Sequence, residues 1–373
     1  MQVDAVIVGD GPTGRLADRA LRQLGLETVV VAPASPPGAD PRTTALLPSS
    51  VDDLDRLGVD VRPRATALPD MVIETLGPFG LTAERFRASE VDAPYLALNL
   101  PIGDLSALMP VERRLEDRVV GIVHGTGLVT VVTEGGTRVR ARLAIAADGK
   151  ASPTREAARI RMWRQPLGLS ALCAPVELAA PHDGLCIERY DDTGSITVIP
   201  VGSRDGSLIS IAPTAEVERL AGAGIAAIEA SARGRQPAYG AIRLTASPVV
   251  FPVSIGWAPS PARRRVVAVG DAAHVVPPIG AQGWNLAVRD IMALADVLAG
   301  TVRTGGDIGG SEALSRYTRR RRFELPGRLG AVGLLAGVAT DGTLRGRLAR
   351  QLGLGVLSRV SPIKHGLMRR GLA

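Results

Sequence analysis

Three glycines near the N-terminus are spaced as Gly-x-Gly-x-x-Gly, at Gly9, Gly11 and Gly14. Residues 3–8, an alternating segment rich in β-branched residues, precede them, and residues 15–24 have helical apolar spacing. A glycine loop between a strand and a helix lets backbone N–H groups approach a pyrophosphate closely. We predict a dinucleotide-binding loop here; the alternative is a glycine-rich turn without a ligand.

The second strand of this unit, residues 28–31, is followed by Ala32 and Pro33. A dinucleotide fold usually has an acid at this strand end, which accepts hydrogen bonds from a ribose hydroxyl. The Ala32 side chain cannot do so. Either another group holds the ribose, or that end of the nucleotide is held more loosely.

A second polar motif follows the apolar residues 143–147. It consists of Asp148 and Gly149, followed by Ser152 three residues and Arg155 six residues after Gly149. Its position at a strand end suits a cofactor contact. The alternative is an ordinary Asp-Gly turn in which Ser152 caps a helix.

The third motif runs from Gly270 to Asn285 and joins a short apolar strand to a helix. Asp271 stands at the strand end, where it is placed to accept from sugar or ribityl hydroxyls. Pro278 stiffens the loop, and Gly280 and Gly283 permit close approach of backbone N–H groups to a flat ring. Such donors at a helix N-terminus stabilise negative charge on a reduced flavin. We interpret His274 as structural rather than catalytic.

Composition restricts the class of protein. The 373 residues are 46 % hydrophobic but only 3 % aromatic, and the two cysteines, Cys173 and Cys186, do not make a disulfide framework. We expect two reduced thiols and no metal site, because no Cys/His cluster has ligand spacing. The N-terminus is typical of a first strand rather than a signal peptide, and no segment is predicted to span a membrane.

Positive charge is concentrated at the C-terminal end. Residues 316–373 contain 13 Lys and Arg against two acids, a balance of +11, whereas the whole chain carries +7. The rest of the protein therefore has a net charge of −4. Residues 319–322 are four consecutive arginines, and residues 329–338 and 352–357 are apolar. Basic and apolar helices favour contact with an anionic membrane surface, although a solvated helix face is the commoner meaning of such a run.

Helices are predicted at residues 15–24, 48–57, 215–232 and 285–298, with another starting after Pro101. Strands are predicted around residues 61–87, 119–132, 138–146 and 266–269. Strand-like runs from residue 169 to 252 favour an antiparallel sheet inserted into a nucleotide-binding fold.

The three motifs, in this order and at these separations, resemble those of the class A flavoprotein monooxygenases. The resemblance implies an α/β fold with a Rossmann-like FAD-binding domain, an inserted antiparallel β-sheet substrate domain and C-terminal helices. It divides the chain into three regions. The FAD-binding domain comprises residues 1–70, 98–165 and 253–305, and the substrate domain comprises residues 71–97 and 166–252. Residues 306–373 form a basic helical C-terminal segment.

Within that family the sequence is most similar to the ubiquinone-biosynthesis hydroxylases. The similar stretches lie at residues 42–50, 98–101, 280–290 and 361–369. An arginine that these proteins often carry near Gly103 is missing, and the segment around residues 105–119 is short.

The resemblance implies FAD as cofactor, NAD(P)H as reductant and O2 as co-substrate, with oxygen transferred to an aromatic ring through a flavin hydroperoxide. No second glycine fingerprint for NAD(P)H is visible, as is usual in this family. Catalytic side chains are not predicted. The expected cofactor contacts are Gly9, Gly11, Gly14, Arg42, Asp148, Gly149, Gly270, Asp271, Pro278, Gly280, Gln282, Gly283 and Asn285.

The leading hypothesis is hydroxylation of a polyprenylated phenol or quinol ring in ubiquinone synthesis. The alternatives are a hydroxylase of a soluble aromatic or polyketide, and a degenerate flavoprotein that serves as a non-catalytic subunit of a biosynthetic complex. We expect a cytoplasmic protein with peripheral contact to the inner face of the membrane through residues 316–373. Nucleic acid is not an expected partner, since no aromatic platform accompanies the charge.

Overall fold

The computed structural model describes residues 1–34, 40–341 and 343–372, except for most side chains of residues 325–340. Its strands are β1 (Gln2–Val8), β2 (Thr28–Ala32), β3 (Thr43–Leu46), β4 (Thr66–Leu68), β5 (Asp70–Gly77), β6 (Gly80–Arg87), β7 (Ala97–Pro101), β8 (Arg114–Glu116), β9 (Val119–His124), β10 (Val129–Thr133), β11 (Arg138–Ala146), β12 (Trp163–Leu178), β13 (Leu185–Tyr190), β14 (Ser195–Val201), β15 (Asp205–Pro213), β16 (Ile242–Leu244), β17 (Val249–Trp257), β18 (Ala262–Arg263), β19 (Val266–Ala268) and β20 (His274–Val275). Its helices are α1 (Pro12–Gln23), α2 (Pro48–Arg56), α3 (Ile102–Ala107), α4 (Pro153–Ala157), α5 (Thr214–Gly222), α6 (Ile225–Arg235), α7 (Gln282–Arg303), α8 (Ser311–Thr340), α9 (Leu344–Arg359) and α10 (Ser361–Leu372).

An eight-stranded sheet forms the nucleotide-binding half. Its main path is β18-β19-β11-β1-β2-β8, and all pairs from β19 to β8 are parallel. β1 and β2 are buried on both faces, which explains their unbroken apolar sequences. Helices α1 and α7 pack together on one face, and α8 packs on α7. The predicted Rossmann-like unit is confirmed.

A nine-stranded sheet forms the second half, in the order β20-β17-β12-β15-β14-β13-β5-β6, with β16 beside β12. Every pair in it is antiparallel except β5 with β13. The predicted antiparallel insertion is therefore confirmed, with one parallel pair that the sequence did not indicate. The six predicted domain segments stay a prediction.

The single helix predicted at residues 215–232 is wrong, because the structure has two helices there. α5 ends at Gly222 and α6 begins at Ile225. Gly224 between them has φ +88°, a left-handed conformation that a continuing right-handed helix cannot contain.

The C-terminal helices pack against the nine-stranded sheet. α9 lies on β5 and β6, and α10 packs on α9. Within the described part of the chain, every helix is either too short or too polar to cross a membrane. Most side chains of the apolar run at residues 329–338 lie outside the described residues.

Candidate functional site

The glycine loop after β1 is packed so closely that two of its glycines cannot be replaced without movement. A Cβ on Gly14 would lie 1.9 Å from the carbonyl oxygen of Gly9. A Cβ on Gly9 would lie 2.3 Å from the carbonyl oxygen of Ala147, and Gly9 has φ +112°. These two contacts hold α1 against the loop and place the loop against the residue before Asp148.

Gly11 differs, because a Cβ there would meet nothing within 4 Å. Gly11 is the N-cap residue of α1, and no side chain caps this helix end. The first N–H groups of α1 thus lack a side-chain partner, which leaves them for an anion. The open space at Gly11 lies where the sequence predicts the phosphates.

Asp10 stands between these glycines and would repel a phosphate if its charge were not balanced. Arg15 Nε lies 2.8 Å from one carboxylate oxygen of Asp10, and Arg114 Nε lies 3.3 Å from the other. Arg15 also donates to the carbonyl oxygens of Ser106 and Met109, at 3.2 and 3.4 Å. The two arginines neutralise Asp10, and Arg15 connects α1 to the last turn of α3 and the residues after it. Neither arginine is marked by a motif in the sequence.

The Asp148 carboxylate is engaged within its own loop. It accepts from the hydroxyl of Ser152 and, at 3.0 Å, from the N–H of Thr154. Ser152 in turn caps α4 by accepting from the N–H of Arg155 at 3.0 Å. The capping interpretation of Ser152 is confirmed. A cofactor contact through Asp148 or Gly149 stays a prediction, and Gly149 has φ +81°.

The third motif meets the first two. Gly270 has φ +56°, and a Cβ there would lie 3.0 Å from the Thr13 side chain in the glycine loop. Arg155, from the second motif, is buried and donates to the carbonyl oxygen of Ala272 at 3.4 Å. Three segments separated by more than 100 residues thus converge at the carboxyl ends of β1, β11 and β19.

A cluster of buried charged side chains is hydrogen-bonded to the Gly270 turn. Asp290 on α7 accepts from the N–H of Gly270 at 2.8 Å and lies 2.7 Å from His274 Nε2 and 2.6 Å from Arg321 Nε. Burial alone would raise the pKa of Asp290, but His274 and Arg321 outweigh it and lower the pKa. His274 thus has a structural place, as expected, and Arg321 was seen in the sequence only as part of a charge run.

Two consecutive residues of the loop before α7 have left-handed backbone conformations. Gly280 has φ +65° with open space around it, and Ala281, the N-cap of α7, has φ +56° without a side-chain cap. Pro278 is exposed, and Gln282 Nε2 donates to the carbonyl oxygen of Gly280 at 3.1 Å. A Cβ on Gly283 would be 3.9 Å from Val276, an ordinary contact distance.

Asn285 is buried and its side chain is occupied by the protein. Its Oδ1 accepts from the N–H of Leu47 at 3.0 Å, and its Nδ2 donates to the carbonyl oxygen of Ala45 at 2.8 Å. The structure therefore gives Asn285 a positioning role between α7 and the β3–α2 segment. Its Nδ2 also donates to the carbonyl oxygen of Ala281. The predicted cofactor contact of Asn285 stays a prediction.

A family model for the FAD binding domain matches residues 2–324. The chain belongs to this FAD-binding family. The resemblance to the class A flavoprotein monooxygenases is thereby confirmed at the level of the cofactor.

Two curated relatives extend over most of this flavoprotein. It is 27 % identical to the ubiquinone hydroxylase UbiL of Rhodospirillum rubrum, over 99 % of this chain and 89 % of the relative. It is 26 % identical to the 3-demethoxyubiquinol 3-hydroxylase of Escherichia coli, over 85 % of each chain. The crystal structure of the p-nitrophenol 4-monooxygenase PnpA from Pseudomonas putida superposes with a TM-score of 0.83, at 21 % identity over 100 % of this chain and 97 % of that one. This last likeness shows a shared fold.

The residues present fit FAD. Gly11 and the uncapped start of α1 suit the pyrophosphate, and Gly280 and the uncapped start of α7 leave room and donors for a ring edge. Asp271 is exposed. Among the residues and side chains that the structure describes, none donates a hydrogen bond to its carboxylate. It is therefore available to hydroxyls of the ribityl chain.

Arg42 lies on the same side of the molecule. It forms a bidentate pair with Asp40, at 2.6 and 2.8 Å. This pairing raises the pKa of Arg42, and the Asp271 charge adds a smaller effect in the same direction. Burial raises the pKa of the Cys173 thiol to about 12, so this cysteine stays a neutral thiol. Arg42 is thus within electrostatic reach of the proposed ribityl site, and direct contact with FAD stays a prediction.

The loop before α7 covers an apolar face of the nine-stranded sheet. Ile279 packs in one cluster with Ala171, Tyr190, Ile211 and Val253, which come from four strands. Glu188, two residues before Tyr190 on the same strand, is buried and accepts from the Tyr190 hydroxyl at 2.5 Å. Burial raises the pKa of the Glu188 carboxyl. The cluster around Ile279 is thus apolar, and the Glu188–Tyr190 pair lies beside it. None of these residues carries a distinct signal in the sequence.

No group of three or more His, Cys, Asp or Glu among the described residues is arranged to hold a metal ion. A cavity of about 720 Å³ lies away from the three motifs, between β18 and α8, where Arg263, Arg319 and Arg322 line it. It shares no residue with the flavin site.

Proposed function

We propose that this flavoprotein hydroxylates the aromatic ring of a polyprenylated phenol or quinol in ubiquinone biosynthesis. The observation that carries the proposal is the placement of the loop at Ile279 over the apolar face that contains Tyr190. That placement puts the predicted ring-binding loop directly beside a surface that an aromatic substrate would favour. The names of the two curated relatives support the ubiquinone pathway.

FAD, when bound and reduced by NAD(P)H, activates O2 for transfer of one oxygen atom to the ring. The chain's contribution is to bind, orient and exclude water. Gly9, Gly11 and Gly14 would hold the pyrophosphate, Asp271 the ribityl hydroxyls, and Gly280 and Gly283 the ring edge. The buried cluster around Asp290 keeps the Gly270 turn in place beneath them.

The substrate would lie on the apolar face, with its ring hydroxyl near the polar pair. Glu188 and Tyr190 share a face of β13 because they are two residues apart. The buried Glu188 carboxyl, with its raised pKa, and the Tyr190 hydroxyl are the polar groups that we assign to this contact. Apolar neighbours such as Ile209 and Phe251 would exclude water.

We also propose that the protein meets the membrane through α9, α10 and the β5–β6 turn. Phe79 at that turn is 77 % exposed and Leu352 on α9 is 63 % exposed. The two elements are joined, since Gln351 Nε2 donates to the carbonyl oxygen of Gly80 at 2.7 Å. Residues 343–372 contain seven Lys and Arg and no acid. Lys364 is buried and paired with Glu84 and Glu90, so the exposed arginines of this segment supply the charge. Exposed apolar side chains beside a surplus of positive charge suit an anionic lipid surface.

The test of the activity is hydroxylation by the purified protein. Reconstituted with FAD and supplied with NADH or NADPH and O2, it should convert a polyprenylated phenol to a product heavier by one oxygen atom, as measured by mass spectrometry. The same phenol without its prenyl chain is the control. Conversion of the short phenol alone would favour a soluble aromatic substrate, and a colourless protein that does not bind FAD would favour the non-catalytic subunit.

A further inference from the structure

The end of β2, where an acid would normally bind the adenosine ribose, has only the methyl group of Ala32 to offer. FAD carries this ribose, with two hydroxyls, beside its pyrophosphate. In a site that binds FAD, these hydroxyls need an acceptor other than residue 32 or must stay in water. The neighbouring strand supplies a candidate.

β8 runs parallel to β2, with Val31 opposite Leu115 and Ala32 opposite Glu116. Val31 and Leu115 pack in the same hydrophobic cluster, so partners in this register point to the same face of the sheet. Glu116 and Ala32 therefore also share a face, opposite to that of Leu115. Neighbouring strands lie about 4.8 Å apart. The backbone of Glu116 is therefore one strand spacing from residue 32, where the usual acid would be.

A chain of contacts ties Glu116 to the glycine loop. Arg114 lies 3.5 Å from the Glu116 carboxylate through Nη1 and 3.3 Å from the Asp10 carboxylate through Nε. It also donates to the carbonyl oxygen of Pro33 at 3.3 Å. These three contacts place Arg114 across the carboxyl ends of β1, β2 and β8. Glu116 is thus held at the sheet edge at which the pyrophosphate loop lies.

Glu116 keeps the capacity to accept further hydrogen bonds. Its side chain is 61 % exposed, and Arg114 is its one ion-pair partner among the described residues. An ionised carboxylate has about four acceptor sites, and one arginine contact leaves most of them free. An exposed pair of this kind contributes little to folding, so stability alone gives no reason for a glutamate here.

We propose that Glu116 accepts the hydrogen bonds of the adenosine ribose hydroxyls of FAD, in place of the acid that β2 lacks. Arg114 is the positioning residue that keeps the carboxylate at the sheet edge while it neutralises Asp10. The proposal rests on FAD binding and is independent of which substrate is hydroxylated.

The test compares the dissociation constants of apoprotein variants for FAD and for an FAD analogue that lacks the ribose hydroxyls of its adenosine. Glu116→Ala should bind FAD roughly 10- to 100-fold more weakly, the range expected for lost hydrogen bonds to a charged group. It should also lose the preference of the wild type for FAD over the analogue. Glu134→Ala is the matched control, because Glu134 is exposed and pairs only loosely with Arg118, at 3.8 Å.

A second substitution keeps the test decisive if Glu116→Ala lowers affinity for an unrelated reason. Adding Ala32→Glu to that variant restores an acid to the usual place and should recover most of the lost affinity and the preference for FAD. Equal FAD affinity in Glu116→Ala and wild type would overturn the proposal, as would a preserved preference between FAD and the analogue. A wild type that does not bind FAD would instead contradict the cofactor assignment itself.

Discussion

The Asp290 carboxylate and the Arg321 guanidinium form an ion pair of 2.6 Å in which both side chains are 2 % exposed. The pair joins α7 to α8, and the second oxygen of Asp290 accepts from Gly270 and faces His274. Through this carboxylate, a helix in the basic C-terminal segment is connected to the turn that precedes Asp271. The Gly270 turn and the first half of α8 are thus parts of one buried network.

Asp290→Asn should lower the free energy of unfolding by about 3 kcal/mol, because it breaks a buried ion pair. Arg321 then keeps only the half-exposed Glu324 carboxylate, at 2.6 Å. Urea unfolding of the apoprotein, followed by circular dichroism, measures the change. The control is Asp296→Asn, which removes the exposed pair with Arg320 at 2.8 Å on the same two helices. That variant should lose less than about 1 kcal/mol. Equal losses in the two variants would contradict the buried network.

The contribution of Asp290 should also depend on pH in one direction. The pKa of this carboxyl is lowered in the folded protein from its ordinary value of 3.8, because His274 and Arg321 outweigh the effect of burial. A lowered pKa gives stability that is complete above the unfolded value and is lost as the pH falls through the folded value. The difference between wild type and Asp290→Asn should therefore persist at neutral pH and shrink only below about pH 4. A difference that vanishes between pH 7 and 6 would contradict this origin.

Gly14 and Gly11 offer a matched pair of substitutions in one loop. Gly14→Ala should destabilise the apoprotein strongly, since its Cβ would lie 1.9 Å from the Gly9 carbonyl oxygen. Gly11→Ala should leave the apoprotein within about 0.5 kcal/mol of wild type, because nothing lies within 4 Å and Gly11 has φ −76°. It should nevertheless weaken FAD binding at least tenfold, because the methyl group would occupy the space assigned to the pyrophosphate. Titration of both apoproteins with FAD is the measurement; undiminished binding by Gly11→Ala would place the phosphates elsewhere.

Asn285→Leu tests whether Asn285 positions the loop before α7. The substitution leaves the buried N–H of Leu47 and the carbonyl oxygen of Ala45 without their partner. Each unpaired group costs about 1–3 kcal/mol, so thermal unfolding should shift downward by several degrees. Gln282→Ala, which removes only an exposed hydrogen bond to Gly280, should unfold close to wild type. A reversed order would assign the loop's conformation to Gln282.

Much of the fold was predictable because it depends on local patterns, whereas the cofactor contacts stay predictions. The glycine spacing after β1 and the Asp271 strand end are local signals, and each fell where expected. The role of Asn285 was not predictable, since its partners Ala45 and Leu47 are about 240 residues away. Arg114 and Arg321 read as ordinary surface charges in the sequence, because only the packing of α8 and the β2–β8 register gives them partners. The break at Gly224 was missed because apolar spacing continues on both sides of it.

The apolar surface on α9 gives the last prediction. Leu352 and Val356 are one helical turn apart and both exposed, beside a helix without acids. Leu352→Glu with Val356→Glu should reduce binding to vesicles of phosphatidylcholine and phosphatidylglycerol at least tenfold. The double substitution replaces apolar side chains that would enter the lipid with negative charges that anionic lipid repels. Val120→Glu on β9 is the control, since Val120 is 58 % exposed but far from any basic helix in sequence. Flotation at low and high salt measures the binding and separates the electrostatic part, which salt screens. If the double variant floats as well as wild type, or wild type does not float at low salt, α9 is not the membrane surface and its apolar side chains await a protein partner.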